Sequence, residues 1–427
     1  MLEIRSYLSH GHGWRFFVAI AIVWLVIAIG AWCSVQVSRG GLIWLEWTPE
    51  TQPALGAEND NISRALRSGR GFADPFGTPT GPTAWMPPAF PVFLALLYTI
   101  SNDDREVVTD RFFVFQWSSF GLLGSVLVIY ANVSTGRPIT MALIYAFGIW
   151  GFHFPVFLFS HGQAIEAWAV MLVLLALSIQ RSATLRNSYY GGLIAGFAAL
   201  AYPAASVGWC IMTAWQWRQN RLYLVNSILM ALLVVAPWIG RNLSKFNTVY
   251  PIKSNAGYEL WQSLALTENG TIDADVLKDH PYFSHTKEHQ SYTSHGEQAY
   301  LNGKNLEAFR ILREEPLRFI QHILNRFFAA FVWHQTWFEG QSTSLWTLAI
   351  SRVWKLIVFG SLIAVYRQRK TIGDVAVLAA GLMVCILMPY VLVSYYDRYS
   401  WPLIPLQAFV LFSVFVSAQR MPLLNLE

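Results

Sequence analysis

"FFVAIAIVWLVIAIGAWCSV", residues 16–35, runs for 20 residues without a charged side chain. At 1.5 Å rise per residue, about 20 apolar residues are what an α-helix needs to cross the ~30 Å hydrocarbon core of a bilayer. Arg5 and Arg15 precede the stretch and no small-residue cleavage site accompanies it. It therefore reads as an uncleaved first span with its N-terminus in the cytoplasm. The whole composition agrees: of 427 residues, 54% are hydrophobic, 15% aromatic and 13% charged, against roughly 25% charged in a soluble domain. The fold class is all-α integral membrane. The net charge of +5 does not argue for nucleic acid, because the basic residues are scattered and many flank apolar segments, where they set orientation. Cys33, Cys210 and Cys385 all lie in or beside apolar segments, without metal-ligand spacing or a disulfide pattern, and read as packing residues.

Further runs near spanning length cover Phe112–Ala131, Ile139–Phe157, Ile165–Ile179, Leu222–Ile239, Leu345–Tyr366, Val375–Val393 and Pro402–Ala418. Two are short or broken. Pro87–Ile100 follows "WMPPAFPVF", and Tyr189–Trp217 contains Pro203 in "ALAYPAAS". Proline removes a helix hydrogen bond, so that region is one kinked helix or two half-helices meeting at the proline. Counting them gives a polytopic bundle of roughly 10–12 hydrophobic segments.

Basic residues cluster at Arg181 with Arg186, Arg218 with Arg221, and Arg367, Arg369 and Lys370. If Tyr189–Trp217 is a hairpin, all three clusters fall on the cytoplasmic side. The polar regions Ser38–Met86 and Arg241–Arg326 then both emerge outside and should fold together over a shared cavity. Pro87–Ile100 would dip in and return. Residues 1–240 thus form an N-terminal membrane module with a first outward loop at 38–86. Residues 241–326 form a second outward loop, and residues 327–427 the C-terminal spans. In "LEAFRILREEPLRFIQHILNRFF" apolar residues recur at helical spacing between Arg and Glu, which suggests an amphipathic helix along the membrane.

Four patterns occur in series: "LRSGRGFADPFGTPTGPTAWMPPAFPVFLALLY" after the acidic stretch, "APWIGRNLSKFNTVYPIKSNAGYELW", "GEQAYLNGKNLEAFRILREEPLRFIQHILNRFF" and "YYDRYSWPLIP". In this order and spacing the chain resembles bacterial GT-C glycosyltransferases of the dolichyl-phosphate-mannose-protein mannosyltransferase-like group. Lipid A aminoarabinose transferases and protein O-mannosyltransferases are relatives of that group. The resemblance runs from about Phe16 to Pro405. It implies a GT-C-type helical bundle in the bacterial inner (plasma) membrane, with its active site on the periplasmic side. It also implies an inverting transfer of a sugar from a polyprenyl-phosphate donor to a glycan, lipid or protein acceptor.

The resemblance further implies a catalytic carboxylate in the first outward loop, Glu58 or Asp60, with Asp60 the first choice. Such a carboxylate can take the proton of the attacking hydroxyl. The group's usual cation before the paired prolines is replaced by Met86, and its usual cation before Pro203 by Tyr202. Arg241 and Arg398, at span ends, are then the candidates for the donor phosphate, since guanidinium binds phosphate bidentately; alternatively they snorkel to the interface. Glu166, His161, Tyr202, Lys253, Asn255, His280, Glu297, Arg326 and Tyr399 are the further candidates for substrate contact, with helix capping or packing as the competing roles. His153 reads as a boundary residue. No metal site is assigned, and a divalent cation (Mg or Mn) stays open as a cofactor. Two other functions stay open: an O-antigen polymerase or ligase, and a lipid-linked oligosaccharide flippase or transporter. The last would favour inverted repeats and charges within spans, and neither is visible.

Overall fold

The computed structural model describes residues 13–38, 55–152, 162–272, 276, 278–332 and 345–420. Six of its helices are long and apolar enough to cross a membrane: Gly13–Gln36, Arg105–Thr135, Gln163–Gln180, Arg221–Phe246, Asp374–Leu392 and Arg398–Arg420. The first is the N-terminal part of α1 (Gly13–Ser38), followed by α2 (Ala57–Arg67), α3 (Ala89–Ile100), α4 (Arg105–Thr135), α5 (Pro138–Phe147) and α6 (Gln163–Gln180). Next come α7 (Leu185–Ala201), α8 (Pro203–Gln216), α9 (Arg221–Phe246), α10 (Ala256–Ala265), α11 (Lys287–Glu314) and α12 (Pro316–Phe331). The chain closes with α13 (Leu345–Arg367), α14 (Asp374–Leu392), a 3₁₀ turn over Asp397–Leu403, and α15 (Ile404–Arg420). The expected span Ile139–Phe157 is described as far as residue 152; it comprises α5 and one further wide turn.

Side-chain bonds fix the directions of the spans. Trp24 donates to Ser125 (3.1 Å) and Trp117 to Ser34 (2.8 Å), so α1 and α4 run antiparallel. At the C-terminus of α6, Gln180 is a hub: its amide donates to Ser227 of α9 (3.0 Å) and accepts from Trp209 and Thr213 of α8 (each 3.1 Å). Ser227 in turn donates to the Ser188 carbonyl of α7 (2.9 Å). Arg181 pairs with Asp374, which brings the start of α14 to the same end. The start of α7 and the end of α8 therefore sit together, and α7–α8 is a hairpin whose tip is Tyr202–Pro203. Proline at the first position of α8 fits because that position needs no N–H donor. The basic clusters of residues 181–186, 218–221 and 367–370 gather at this end, as charge placement led us to expect.

The two polar regions meet at the other end. Arg241, in the last turns of α9, donates to the carbonyls of Phe72 and Thr83 (each 2.6 Å) and to Asn242 (2.9 Å). The Ser254 N–H reaches the Ala84 carbonyl at 2.8 Å. α11 kinks at Gly296, whose φ of 75° favours glycine, and so turns Glu297 inward. That buried carboxylate accepts from the Thr83 hydroxyl, the Ala84 N–H (2.8 Å), Ser254 (2.7 Å) and Tyr292 (2.9 Å). Around it, Phe76 and Trp85 of the first region pack with Tyr258, Trp261, Tyr292 and Tyr300 of the second into one aromatic core. Burying a large aromatic side chain stabilises by roughly 1.5–3 kcal/mol, so this core makes the two loops a single roof.

α3 belongs to the roof end as well. Its 12 residues rise about 18 Å, short of the ~30 Å a span requires. The hydroxyl of Tyr98, near its C-terminus, bonds Asp60 in α2. The amphipathic segment breaks at Pro316, between α11 and α12. α12 buries His322 and Arg326 on one face and exposes Leu317, Leu324 and Phe328 on the other, the arrangement of a helix resting on a bilayer surface.

Candidate functional site

Beneath the roof, span ends and loop residues bring charged groups together. Lys253 and Asn255 precede α10, and Glu259 lies in its first turn, one helical turn beyond Asn255. Ser394 and Tyr399 come from the segment after α14. Both hydroxyls donate to Oε2 of Glu259, each at 3.0 Å. Oε1 receives the Asn255 amide at 3.4 Å and lies 3.7 Å from Lys253 Nζ. Burial pushes the Glu259 carboxyl up, but Lys253, Arg398 and the two hydroxyls together hold it below the ordinary carboxylate range. Asn255 is itself buried, and its Oδ1 has no hydrogen-bond partner among the described residues.

Arg398 lies against an aromatic wall, 4.5 Å from the ring centre of Tyr396 and 5.6 Å from that of Tyr399. Tyr399 stacks on Tyr390 at 3.9 Å, and Tyr202, at the hairpin tip, faces Tyr390 at 6.4 Å and donates to the Tyr399 carbonyl at 3.4 Å. Arg398 acts electrostatically on Glu259, Glu58 and Glu166. Among the described residues none accepts a hydrogen bond from its guanidinium, and none donates to the Glu166 carboxylate in the first turn of α6. A guanidinium that meets ring faces and nearby carboxylates without a hydrogen bond to any described residue keeps its N–H fork available for an anion.

Glu58 lies in the first turn of α2 and faces this cluster. Its Oε1 is 3.7 Å from Nε2 of His280, which a lining of Phe76, Trp85 and Tyr258 encloses. Asp60, two residues on, turns away. Its Oδ1 takes the Tyr98 hydroxyl at 2.5 Å, and its Oδ2 lies 3.2 Å from Arg105 and 3.7 Å from Arg64. That carboxylate joins α2, α3 and α4, and Glu58 is the acid of the pair that reaches the cluster.

Of the other sequence candidates, Glu166, Tyr202, Lys253, Asn255, His280, Arg398 and Tyr399 belong to the cluster. Arg241 and Glu297 are the roof ties already described. Burial pushes the Glu297 carboxyl up despite its four donors. Arg326 is buried and has its N–H groups taken up by the carbonyls of Val391 (2.7 Å) and Leu392 (3.1 Å) and by Ser263 (3.1 Å), so it ties α12 to α10 and the end of α14. His161 and His153 lie outside the described residues. Glu259, Ser394, Tyr390 and Tyr396 escaped the sequence reading, although Glu259 stands in the "SNAGYELW" stretch and carries the N-terminal acid signal of a helix.

Among the described residues the donor set does not fit a divalent cation. Among the described residues no three His, Cys, Asp or Glu side chains converge at ligand spacing. Asp60 is engaged by Tyr98 and two arginines, and Glu259 is matched by Lys253 and Arg398. No family model, curated protein or solved structure matches the chain.

Proposed function

We propose that the chain is an inverting glycosyltransferase, taking a sugar from a polyprenyl-phosphate carrier and passing it to a hydroxyl acceptor on the outer face of the membrane. The observation that carries this reading is the placing in one cluster of Arg398, whose guanidinium has no hydrogen-bond partner among the described residues, and the carboxylate of Glu58, which lies 3.7 Å from His280 and within electrostatic range of that cation. A lipid phosphate needs a cation at the boundary between apolar spans and a polar chamber, and Arg398 begins the last span.

In the reaction, the acceptor oxygen attacks the anomeric carbon while Glu58 takes its proton. The bond from that carbon to the phosphate oxygen breaks, and the phosphate leaves with the electron pair. Arg398 stabilises the charge that develops there, and Lys253 adds to the local positive potential. One direct displacement inverts the anomeric configuration. The aromatic wall of Tyr390, Tyr396 and Tyr399 offers ring faces to a sugar, and Asn255 and Glu259 offer polar partners to its hydroxyls.

The test is turnover by purified protein in lipid nanodiscs, supplied with a panel of polyprenyl-phosphate hexoses and pentoses. Inverted product, or inverted free sugar where water is the acceptor, is expected from at least one donor. A panel in which every donor is left intact would overturn the reading.

A further inference from the structure

His280 stands where the two outward loops close on each other. It precedes Pro281 in the second loop, and its ring meets Phe76 and Trp85 of the first loop edge-on, at 5.8 and 6.2 Å between ring centres. Tyr258, from α10, closes a third side at 5.7 Å. This lining leaves the ring little freedom to rotate.

Its two nitrogens have different partners. Nδ1 accepts the backbone N–H of Tyr282 at 3.2 Å. The proton of a neutral imidazole is then on Nε2, the atom 3.7 Å from Glu58 Oε1. Burial lowers the basicity of His280, the nearby carboxylates of Glu58, Glu259 and Glu288 oppose that shift, and Arg398 adds to it. The neutral donor form is therefore favoured. Contacts of this kind are commonly long before substrate binds and tighten afterwards.

We infer that His280 is the positioning residue of the general base: its Nε2–H, 3.7 Å from Oε1 in this structure, closes to a hydrogen bond when substrate binds and then fixes the Glu58 carboxylate in the direction of the acceptor hydroxyl. The inference rests on the reading of Glu58 as that base. His280 is not a second base. Nε2 already carries a proton and Nδ1 is occupied by the Tyr282 N–H, so the acceptor's proton stops on Glu58. The partnership spans both loops, which gives the roof a role in the chemistry beyond covering it: an opened roof would leave the carboxylate without its guide.

Three variants assayed on the donor panel in nanodiscs separate this inference from the reading beneath it. Glu58→Gln should lower transfer about 10²–10⁴-fold. His280→Asn, whose amide matches Nδ1 and cannot reach Glu58, should lower kcat roughly 10–100-fold, the effect of losing a hydrogen bond to a charged group, with the KM for donor unchanged. His280→Gln places an amide N–H near the Nε2 position and should recover most of the rate. In the Glu58→Gln background, His280→Asn should add less than about twofold, since the two act as one unit. If Glu58→Gln loses transfer to that extent but the Asn and Gln variants at His280 are equally active or equally impaired, the positioning role is wrong and the transferase reading stands. If Glu58→Gln retains near-normal transfer, the reading of the base fails and the inference falls with it. A measurement independent of turnover is ¹⁵N NMR of histidine-labelled protein, where His280 should show the Nε2–H tautomer and its Nε2 resonance should move in Glu58→Gln. A dominant Nδ1–H tautomer would overturn the inference outright.

Discussion

At the basic end of the bundle, the Gln180 amide donates to Ser227 of α9 and accepts from Trp209 and Thr213 of α8. At the roof end, Arg398 rests on ring faces and, like the Glu166 carboxylate, has no hydrogen-bond partner among the described residues, while Asn255 Oδ1 also lacks one. Both regions place polar side chains among apolar helix ends. Leaving a buried polar group unpaired costs about 1–3 kcal/mol. At the basic end the unpartnered atoms include the single amide oxygens of Gln216 and Gln368, whereas the roof end leaves a guanidinium and a carboxylate open, groups whose missing bonds a charged ligand can supply.

The sharpest way to break that comparison is to exchange the two acids of α2. Glu58→Gln should lower transfer about 10²–10⁴-fold, the usual effect of removing a general base, with carrier-lipid binding retained. Asp60→Asn should leave turnover per folded molecule near normal and lower thermal stability instead, because Asp60 ties Tyr98, Arg105 and Arg64. The reverse outcome, normal stability and lost turnover in Asp60→Asn, would return the catalytic role to Asp60.

A smaller effect belongs to the cation. Arg398→Ala should weaken binding of undecaprenyl phosphate, measured by native mass spectrometry from nanodiscs, roughly 10–100-fold, as expected for charge-assisted hydrogen bonds to phosphate. Arg241→Ala should leave that affinity unchanged and loosen the roof, since its N–H groups already serve the carbonyls of Phe72 and Thr83. At the opposite end, Gln180→Ala should cost about 1–3 kcal/mol of stability, read by thermal unfolding, with lipid affinity untouched.

Proton linkage gives the smallest and most diagnostic signal, from two buried carboxylates with opposite signs. Glu259 is held below its ordinary pKa, so its contribution to stability is full above that value and is lost as pH falls through the lowered one. Glu297 is raised by burial, so its contribution is full below the ordinary value and is lost as pH rises through the raised one. Thermal unfolding between about pH 3 and 7 should therefore flatten on the acid side in Glu259→Gln and on the neutral side in Glu297→Gln. Identical profiles for the two variants would contradict the assigned surroundings.

Much of the fold was legible in the sequence because spans obey a length rule and charge placement obeys a side rule. Pro203 marked the hairpin, and the three basic clusters marked the end where its base lies. The site was less legible, since its membership depends on contacts that cross the chain. Glu58 and Asp60 differ by two residues, about 200° around a helix, and contacts with Tyr98, Arg105 and Arg64 decide which one is tied down. Arg241 and Arg398 both sit near span ends. What distinguishes them is the pair of carbonyls that Arg241 finds at residues 72 and 83, more than 150 positions away. Glu259 read as an ordinary acid in a first helical turn, and its partners Ser394 and Tyr399 lie 135 and 140 residues further along.

The most direct measurement is a cryo-electron microscopy structure of the protein in nanodiscs loaded with undecaprenyl phosphate. The phosphate should lie within hydrogen-bond reach of the Arg398 guanidinium and on the side of the cluster that holds Glu58, with the isoprenoid chain leaving among the apolar span ends. A phosphate bound instead at the basic end, beside Arg181 or Arg218, with Arg398 still resting on Tyr396 and Tyr399, would contradict the assignment of the roof end as the active site.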